Sequence, residues 1–246
     1  MMIYKYLSFE QFVSLVETGK SYLTRIDLWD DVREAIFLKF IISRIANGKQ
    51  SEKNQAAHKI KQFIYAQSWT ARGCESEAMW KIYAAPNGVR IGCEMEDIQH
   101  HIEQEMKIRN YNYIALSPQI VEYNTKAIAV KNSIKYDALS KGDIEEALKY
   151  KLPAFDFENE IRFGVYSSFL DKNSRNISES YFREINIFTS DVKVINYSFP
   201  KSSLKQILLS PEAEEYQRIF FENYCQRWEL LCEYRQSNLY GKANKI

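Results

Sequence analysis

The opening of the chain is punctuated more sharply than any other part of it. Residues 3–7 are strand-prone, and Ser8 then stands where a side-chain oxygen caps a helix, ahead of Phe9, Phe12, Val13, Leu15 and Val16 at helical spacing. The pattern stops at Gly19, a residue type that ends helices because it enters left-handed backbone without a Cβ clash. Residues 21–26 read as a second strand. Strand, helix and strand in so short a stretch require a sheet with a helix laid against it.

The rest of the chain mixes both periodicities. Ile36, Phe37, Phe40, Ile41 and Ile45 predict a helix over 32–46, and a further helix over 52–60 completes a helical insertion at about 32–62. Residues 63–70 are β-prone, and 77–83 make one or two helical turns. Pro86-Asn87-Gly88 is a turn that feeds a strand over 89–93. A helix is expected over 94–108, one or two strands over 113–130 and a helix over 144–151 that halts before Pro153. Segments 182–188 and 192–197 suit a hairpin, and 204–209 a strand. Pro211 is expected to open a helix to about 227, with a last strand over 229–234. Without regular βαβ alternation, the predicted fold class is α+β, with mixed, largely antiparallel sheets and flanking helices.

At 246 residues, 46% of them hydrophobic, the chain buries a core and is expected to form one domain over 1–246. A net charge of +1 means that no global basic field announces a nucleic-acid binder. Cys74, Cys93, Cys225 and Cys232 form no CxxC pair, so reduced thiols are expected rather than a zinc site or disulfide framework. With no signal peptide and no apolar run of spanning length, the reading is a soluble, cytoplasmic protein without a membrane partner.

Chemistry is concentrated at residues 155–166. Read as one alternating strand, this stretch puts Glu158, Glu160 and Arg162 on one face and Phe157, Ile161, Phe163 and Val165 on the other. A carboxylate pair on one face can divide labour between an oriented group and a charge stabiliser; the plain alternative is a solvated face where Arg162 pairs with Glu160. Tyr4, Lys5 and Tyr6, with Tyr22, Thr24 and Arg25 on the next strand, combine rings with cations, as a ligand with a flat ring and phosphate requires. Trp80 and Tyr83 share a helical face beside Met79, as a ligand platform or as core. The acidic run Asp27, Asp30, Asp31 and Glu34 fits a helix start better than a metal loop, and no metal is expected. His58, His100 and His101 read as solvated. Phosphate-loop, dinucleotide-fingerprint and nucleophile-elbow motifs are missing from the sequence.

Taken in order, these segments resemble a bacterial and phage family known as domain of unknown function 2971. The resemblance rests on Tyr4-Lys5-Tyr6, Tyr22 to Arg25 leading to Asp30-Asp31 and Glu34, Ser68-Trp69, Met79-Trp80 with Tyr83, and Gly88. It continues with Phe157, Glu158, Glu160 and Arg162, and ends at Ser237 to Gly241. Asp30-Asp31-Val32 stands where family members commonly read Asn-Asp-Pro. The layout is also similar to the ADP-ribosyltransferases. That second resemblance implies an ADP-ribosyltransferase-like core acting on NAD as substrate. Lys5 and Tyr6 would hold the dinucleotide, Thr24, Arg25, Trp80 and Tyr83 would cradle the nicotinamide ribose, and Glu160, with Glu158 beside it, would drive transfer.

By the same analogy the protein would be a toxin or antiviral effector modifying a nucleic-acid (RNA or DNA) or protein acceptor, countered by an antitoxin or other neutralising partner. Two other readings stay open. One is a non-catalytic nucleic-acid-binding module using Lys126, Lys131, Lys135 and Lys141 with Tyr113, Tyr123 and Tyr136. The other is a Mg²⁺-dependent nuclease in which Asp30, Asp31 or Glu34 meets the two glutamates.

Overall fold

The computed structural model describes residues 1–29, 50–84, 86–110, 112–124, 140–168, 170 and 190–241. The expected helix over 32–46, the hairpin strand over 182–188, Asp30, Asp31, Glu34 and most of the lysine-rich stretch lie outside them.

The first strand, β1 (Met2–Leu7), leads into α1 (Phe9–Thr18). Ser8 and Gln11 form a reciprocal capping box there, and Gly19 closes the helix in the left-handed region at φ 60°. β2 (Lys20–Arg25) follows, then α2 (Gln50–Lys61) and β3 (Ile64–Thr70). A three-residue helical turn (Glu77–Met79) continues as a π-helical turn (Trp80–Ala84) before β4 (Val89–Glu94) and α3 (Met95–Ile108). Next come the short strands β5 (Tyr113–Ala115), β6 (Gln119–Ile120) and β7 (Glu122–Tyr123), then α4 (Lys141–Ala147) and β8 (Tyr150–Lys151). The chain finishes with β9 (Glu160–Ser167), β10 (Val194–Ser198), β11 (Gln206–Leu209), α5 (Glu215–Arg227) and β12 (Glu233–Gln236).

Four boundaries differ from expectation. Residues 155–166 are not one strand: Pro153–Glu158 is a 3₁₀ helix with proline in its first turn, Asn159 turns the corner at φ 43°, and β9 starts only at Glu160. Asparagine tolerates that backbone better than most residues. The helix expected over 144–151 begins at Lys141, where Ser140 and Asp143 make a capping box, and ends early enough for Tyr150 and Lys151 to pair with β7. Pro211 sits in a turn, and α5 starts at Glu215 under a cap from Glu214 and Gln217. The last strand begins four residues late, after Glu229 adopts φ 51°.

Among the described residues ten strands form one sheet, largely antiparallel, in the order β10-β2-β3-β1-β4-β11-β12, with β9 on β3 and β5 and β6 on β9. Together with the helices this is the α+β class expected. The pairing around β3 creates the main irregularity. β9 pairs with β3 from Ile64 to Thr70, so β1 and β2 must share the opposite edge. β2 takes Tyr65 and Ala66, β1 takes Thr70, and no strand pairs Gln67, Ser68 or Trp69 on that edge among the described residues. The sheet is split there.

Alternation along β3 sorts the core onto two faces. Tyr65 and Trp69 join a large cluster with Phe12 and Leu15 of α1, Ile98 and Ile102 of α3 and Phe221 of α5. Ala66 faces the other way, into a cluster with Ile60, Ile144 and Leu148, while Tyr6, Met79, Trp80 and Leu208 form a third.

Gly88 explains why the turn before β4 has no room for a side chain. A Cβ there would stand 2.0 Å from the Ala84 carbonyl oxygen and 2.4 Å from that of Leu7. Gly88→Ala should therefore cost on the order of 1–3 kcal/mol or more in a denaturant melt. Gly142→Ala, which meets Ser140 Oγ at an ordinary 3.7 Å in the first turn of α4, should be neutral or stabilising.

Candidate functional site

The 3₁₀ corner and the split in the sheet bring the two glutamates together with Arg162 and Lys151, near them in sequence, and with Lys5, far from them. Glu160 opens β9 and Glu158 ends the 3₁₀ helix, so it is the corner, not strand alternation, that turns both toward one place. That place is not a solvated face. Glu160 is 2% exposed, Glu158 4% and Arg162 fully buried.

Arg162 grips Glu160 with two parallel bonds, Nε to Oε1 at 2.8 Å and Nη2 to Oε2 at 2.9 Å, while its Nη1 donates to the Leu148 carbonyl at 3.1 Å. Its guanidinium also lies 5.1 Å from the centre of the Trp29 ring. Ser68 Oγ donates to Glu160 Oε1, and Tyr123 Oη accepts the Glu160 backbone N–H at 2.7 Å. Lys151 Nζ bridges the carboxylates, 2.6 Å from Glu158 Oε2 and 3.2 Å from Glu160 Oε2. Tyr83 Oη donates to the remaining Glu158 oxygen at 2.6 Å. Burial by itself would raise the Glu160 carboxyl, but Arg162, then Lys151 and Ser68, outweigh it and hold the group well below the usual carboxylate range.

Lys5 occupies the split. Its Nζ donates at 2.8 Å to the Ser68 carbonyl, on the residue that a continuous sheet would pair to a neighbouring strand, and lies 5.6 Å from the centre of the Trp69 ring. Burial pulls its ammonium down to about 8 despite the attraction of Glu160. Two cavities have this lysine in their linings. One, of about 240 Å³, is lined by Tyr4, Lys5, Tyr6, Ser68, Trp69, Thr70, Met79, Tyr83, Lys151, Glu158 and Glu160. The other, of about 410 Å³, lies under α1 and shares Lys5 and Trp69 with the first. The Trp69 indole N–H has no hydrogen-bond partner among the described residues.

Of the expected site residues, Lys5, Tyr6, Tyr83, Glu158 and Glu160 converge on the smaller cavity. Three do not line either one. Arg25 pairs with Asp27 at 2.6 Å and donates to the Ser190 carbonyl, and Thr24 is opposite Ala66 near the other end of β3. Three residue steps, roughly 10 Å of strand, separate Tyr65, opposite Arg25, from Ser68. Trp80 is core: its ring packs edge-on against Tyr6 at 4.9 Å and its N–H donates to Glu75 at 3.0 Å. Glu75 also accepts from Ser237, which fastens the C-terminal marker segment to this wall.

Sequence reasoning missed Ser68 and Trp69 as site residues, although both stand in the marker set, and it missed Lys151 altogether. Alternation in β3 would have pointed Ser68 at the Glu160 face. Nothing local marks Lys151, since its pairing with β7 is a tertiary event. Of the proposed nucleic-acid groove, Tyr113, Tyr123 and Lys141 are described. Tyr113 packs edge-on against Tyr65, Tyr123 is bonded to Glu160, and Lys141 lies 3.7 Å from Glu145. Among the described residues no three His, Cys, Asp or Glu side chains stand together as metal ligands, and no helix is long and apolar enough to cross a membrane.

A carboxyl held low in the folded state contributes stability above the unfolded value near 4.3, and that contribution is lost as pH falls through the folded value. Glu160→Gln should cost about 3–5 kcal/mol at neutral pH by leaving Arg162 buried without its counter-charge. It should also flatten the loss of stability below about pH 5 in urea melts of the two proteins.

No curated protein and no solved structure matches the chain. A family model does match residues 79–163, about a third of the chain, from Met79 through Glu158, Glu160 and Arg162. The model is that of the family described as protein of unknown function (DUF2971), the family that the ordered markers resemble, and the match covers that stretch.

Proposed function

We propose that the protein is an NAD-dependent ADP-ribosyltransferase-like enzyme whose site is the smaller cavity at the split of the sheet. The observation that carries the reading is the chain of contacts from Lys5 on β1 through Ser68 on β3 to Glu160 on β9, inside a cavity walled by Tyr4, Tyr6 and Tyr83. In this reading Ser68 and Trp69 take the cradling role that the resemblance had assigned to Thr24 and Arg25.

The residues fit the group to be bound. The proposed cavity holds about 240 Å³, near the lower end of the roughly 300–1,000 Å³ of small-molecule sites, and shares Lys5 in its lining with a second of about 410 Å³. The tyrosines supply faces for a flat ring, and Lys5 supplies a cation for a diphosphate. Breaking the nicotinamide–ribose bond sends the bonding electron pair to nicotinamide and leaves an oxocarbenium-like cation for an acceptor nucleophile to capture. Glu160 suits that demand: held ionised and in a fixed position, it presents negative charge without a proton transfer and without reorganising. Glu158 lies on the same wall. The acceptor class, nucleic acid or protein, and any neutralising partner are part of the proposal.

The test is release of labelled nicotinamide from NAD by the purified protein. Turnover is expected, and Tyr83→Phe, which removes one bond at the partly exposed rim, should lower it by roughly 10–100-fold while leaving the melt unchanged. A wild-type protein that releases no nicotinamide and transfers no label to RNA, DNA or protein rejects the reading. Binding of an ADP-ribose probe should weaken as pH rises through about 8, where Lys5 loses its proton, and Lys5→Met should remove that dependence.

A further inference from the structure

Two carboxylates in the smaller cavity are matched by two cations of different kinds. Arg162 is locked: it is fully buried, bidentate on Glu160 and tied to the Leu148 carbonyl. Lys151 is held by both carboxylates and lies 4.8 Å from the centre of the Phe155 ring, but it has no bidentate grip of the kind Arg162 makes. It rides on the two-residue strand β8, whose partner β7 is equally short and lies outside the main sheet, and its side chain is 10% exposed in the wall of the cavity. Were Lys151 to withdraw, Glu160 would keep both bonds from Arg162 and the one from Ser68. Glu158 would keep the Tyr83 hydroxyl and face the cavity as a desolvated carboxylate. The other cation on this wall, Lys5, is engaged with the Ser68 carbonyl.

We infer that Lys151 is a tethered stand-in for a ligand's positive charge, so that the cavity admits a cationic flat ring by exchanging the Lys151 ammonium for it against Glu158. The exchange leaves no buried carboxylate without a counter-charge, because one cation replaces another. A neutral ring brings no replacement and leaves Lys151 seated. The cavity thereby selects the charged form of a ring over its neutral form, and a ring that loses its charge during reaction is displaced when Lys151 returns. The inference rests on the cavity being the ligand site. It makes Lys151 a specificity-determining residue, not one that reacts.

The test measures binding of N1-methylnicotinamide, a permanent ring cation, and of neutral nicotinamide to the full chain by calorimetry. Lys151→Met should bind the cation on the order of tenfold more tightly than the wild type, with nicotinamide affinity unchanged and Lys151→Arg close to wild type. Equal affinity of wild type and Lys151→Met for the cation, equal shifts for both probes, or no binding of either probe to either protein would overturn the inference. If Lys151→Met does not fold, reductive methylation of the wild type read by mass spectrometry decides. Saturating cation should raise labelling of Lys151 several-fold, and unchanged labelling overturns the inference. Nicotinamide release from NAD separates the two proposals. Turnover with charge-blind binding removes only the role of Lys151, whereas charge-selective binding without turnover removes only the transferase reading.

Discussion

The bidentate pair between Arg162 and Glu160 is the interaction around which the rest of the site is arranged. It lies where β9 leaves the 3₁₀ corner, both partners almost wholly removed from water. Burying two charges is expensive, and an apolar pair of the same volume would serve stability as well or better. The pair is nevertheless surrounded by satisfied contacts: the Leu148 carbonyl and Trp29 ring on the arginine, Ser68 and Lys151 on the glutamate. A polar seam of this cost, set between two apolar clusters on one face of the sheet, is the arrangement expected where chemistry rather than packing decides the residues.

The split of the sheet is the second constraint. Because β9 occupies one whole edge of β3, β1 and β2 divide the other, and three residues of β3 face a gap. Backbone groups in such a gap need partners, and Lys5 supplies one for Ser68 from the adjacent strand. The same lysine lines the cavities on both faces of the sheet, so the device that satisfies the gap also places a cation in each wall.

Much of this was legible in the residues themselves. The capping box at Ser8, the stop at Gly19 and the turn at Gly88 were read correctly because each depends on its immediate neighbours. Glu158, Glu160 and Lys5 stood out in the sequence as charges within apolar strand-prone stretches, and the structure brings them to one cavity. The errors have one character. Reading 155–166 as one strand took Pro153 only as a helix stop and passed over the 3₁₀ turn it opens and the corner at Asn159. Arg25, expected beside the ribose, pairs with Asp27 two residues on and lines neither cavity. Trp80 was offered both as core and as ligand platform, and only the packing of Tyr6 and Glu75 around it decides for core.

By itself the sequence determined the fold class, most helix and strand boundaries and the identity of the charged groups, because caps, turns and periodicity act over a few residues. The tertiary structure decided which of those charges meet. Lys5, Ser68, Lys151 and Glu160 come from four strands, and their contacts depend on register, on the division of one strand edge between two neighbours and on a short parallel pairing. Such long-range pairings are settled by the whole core at once, since the apolar faces of the sheet must be covered together, and leave no local mark on the residues they join.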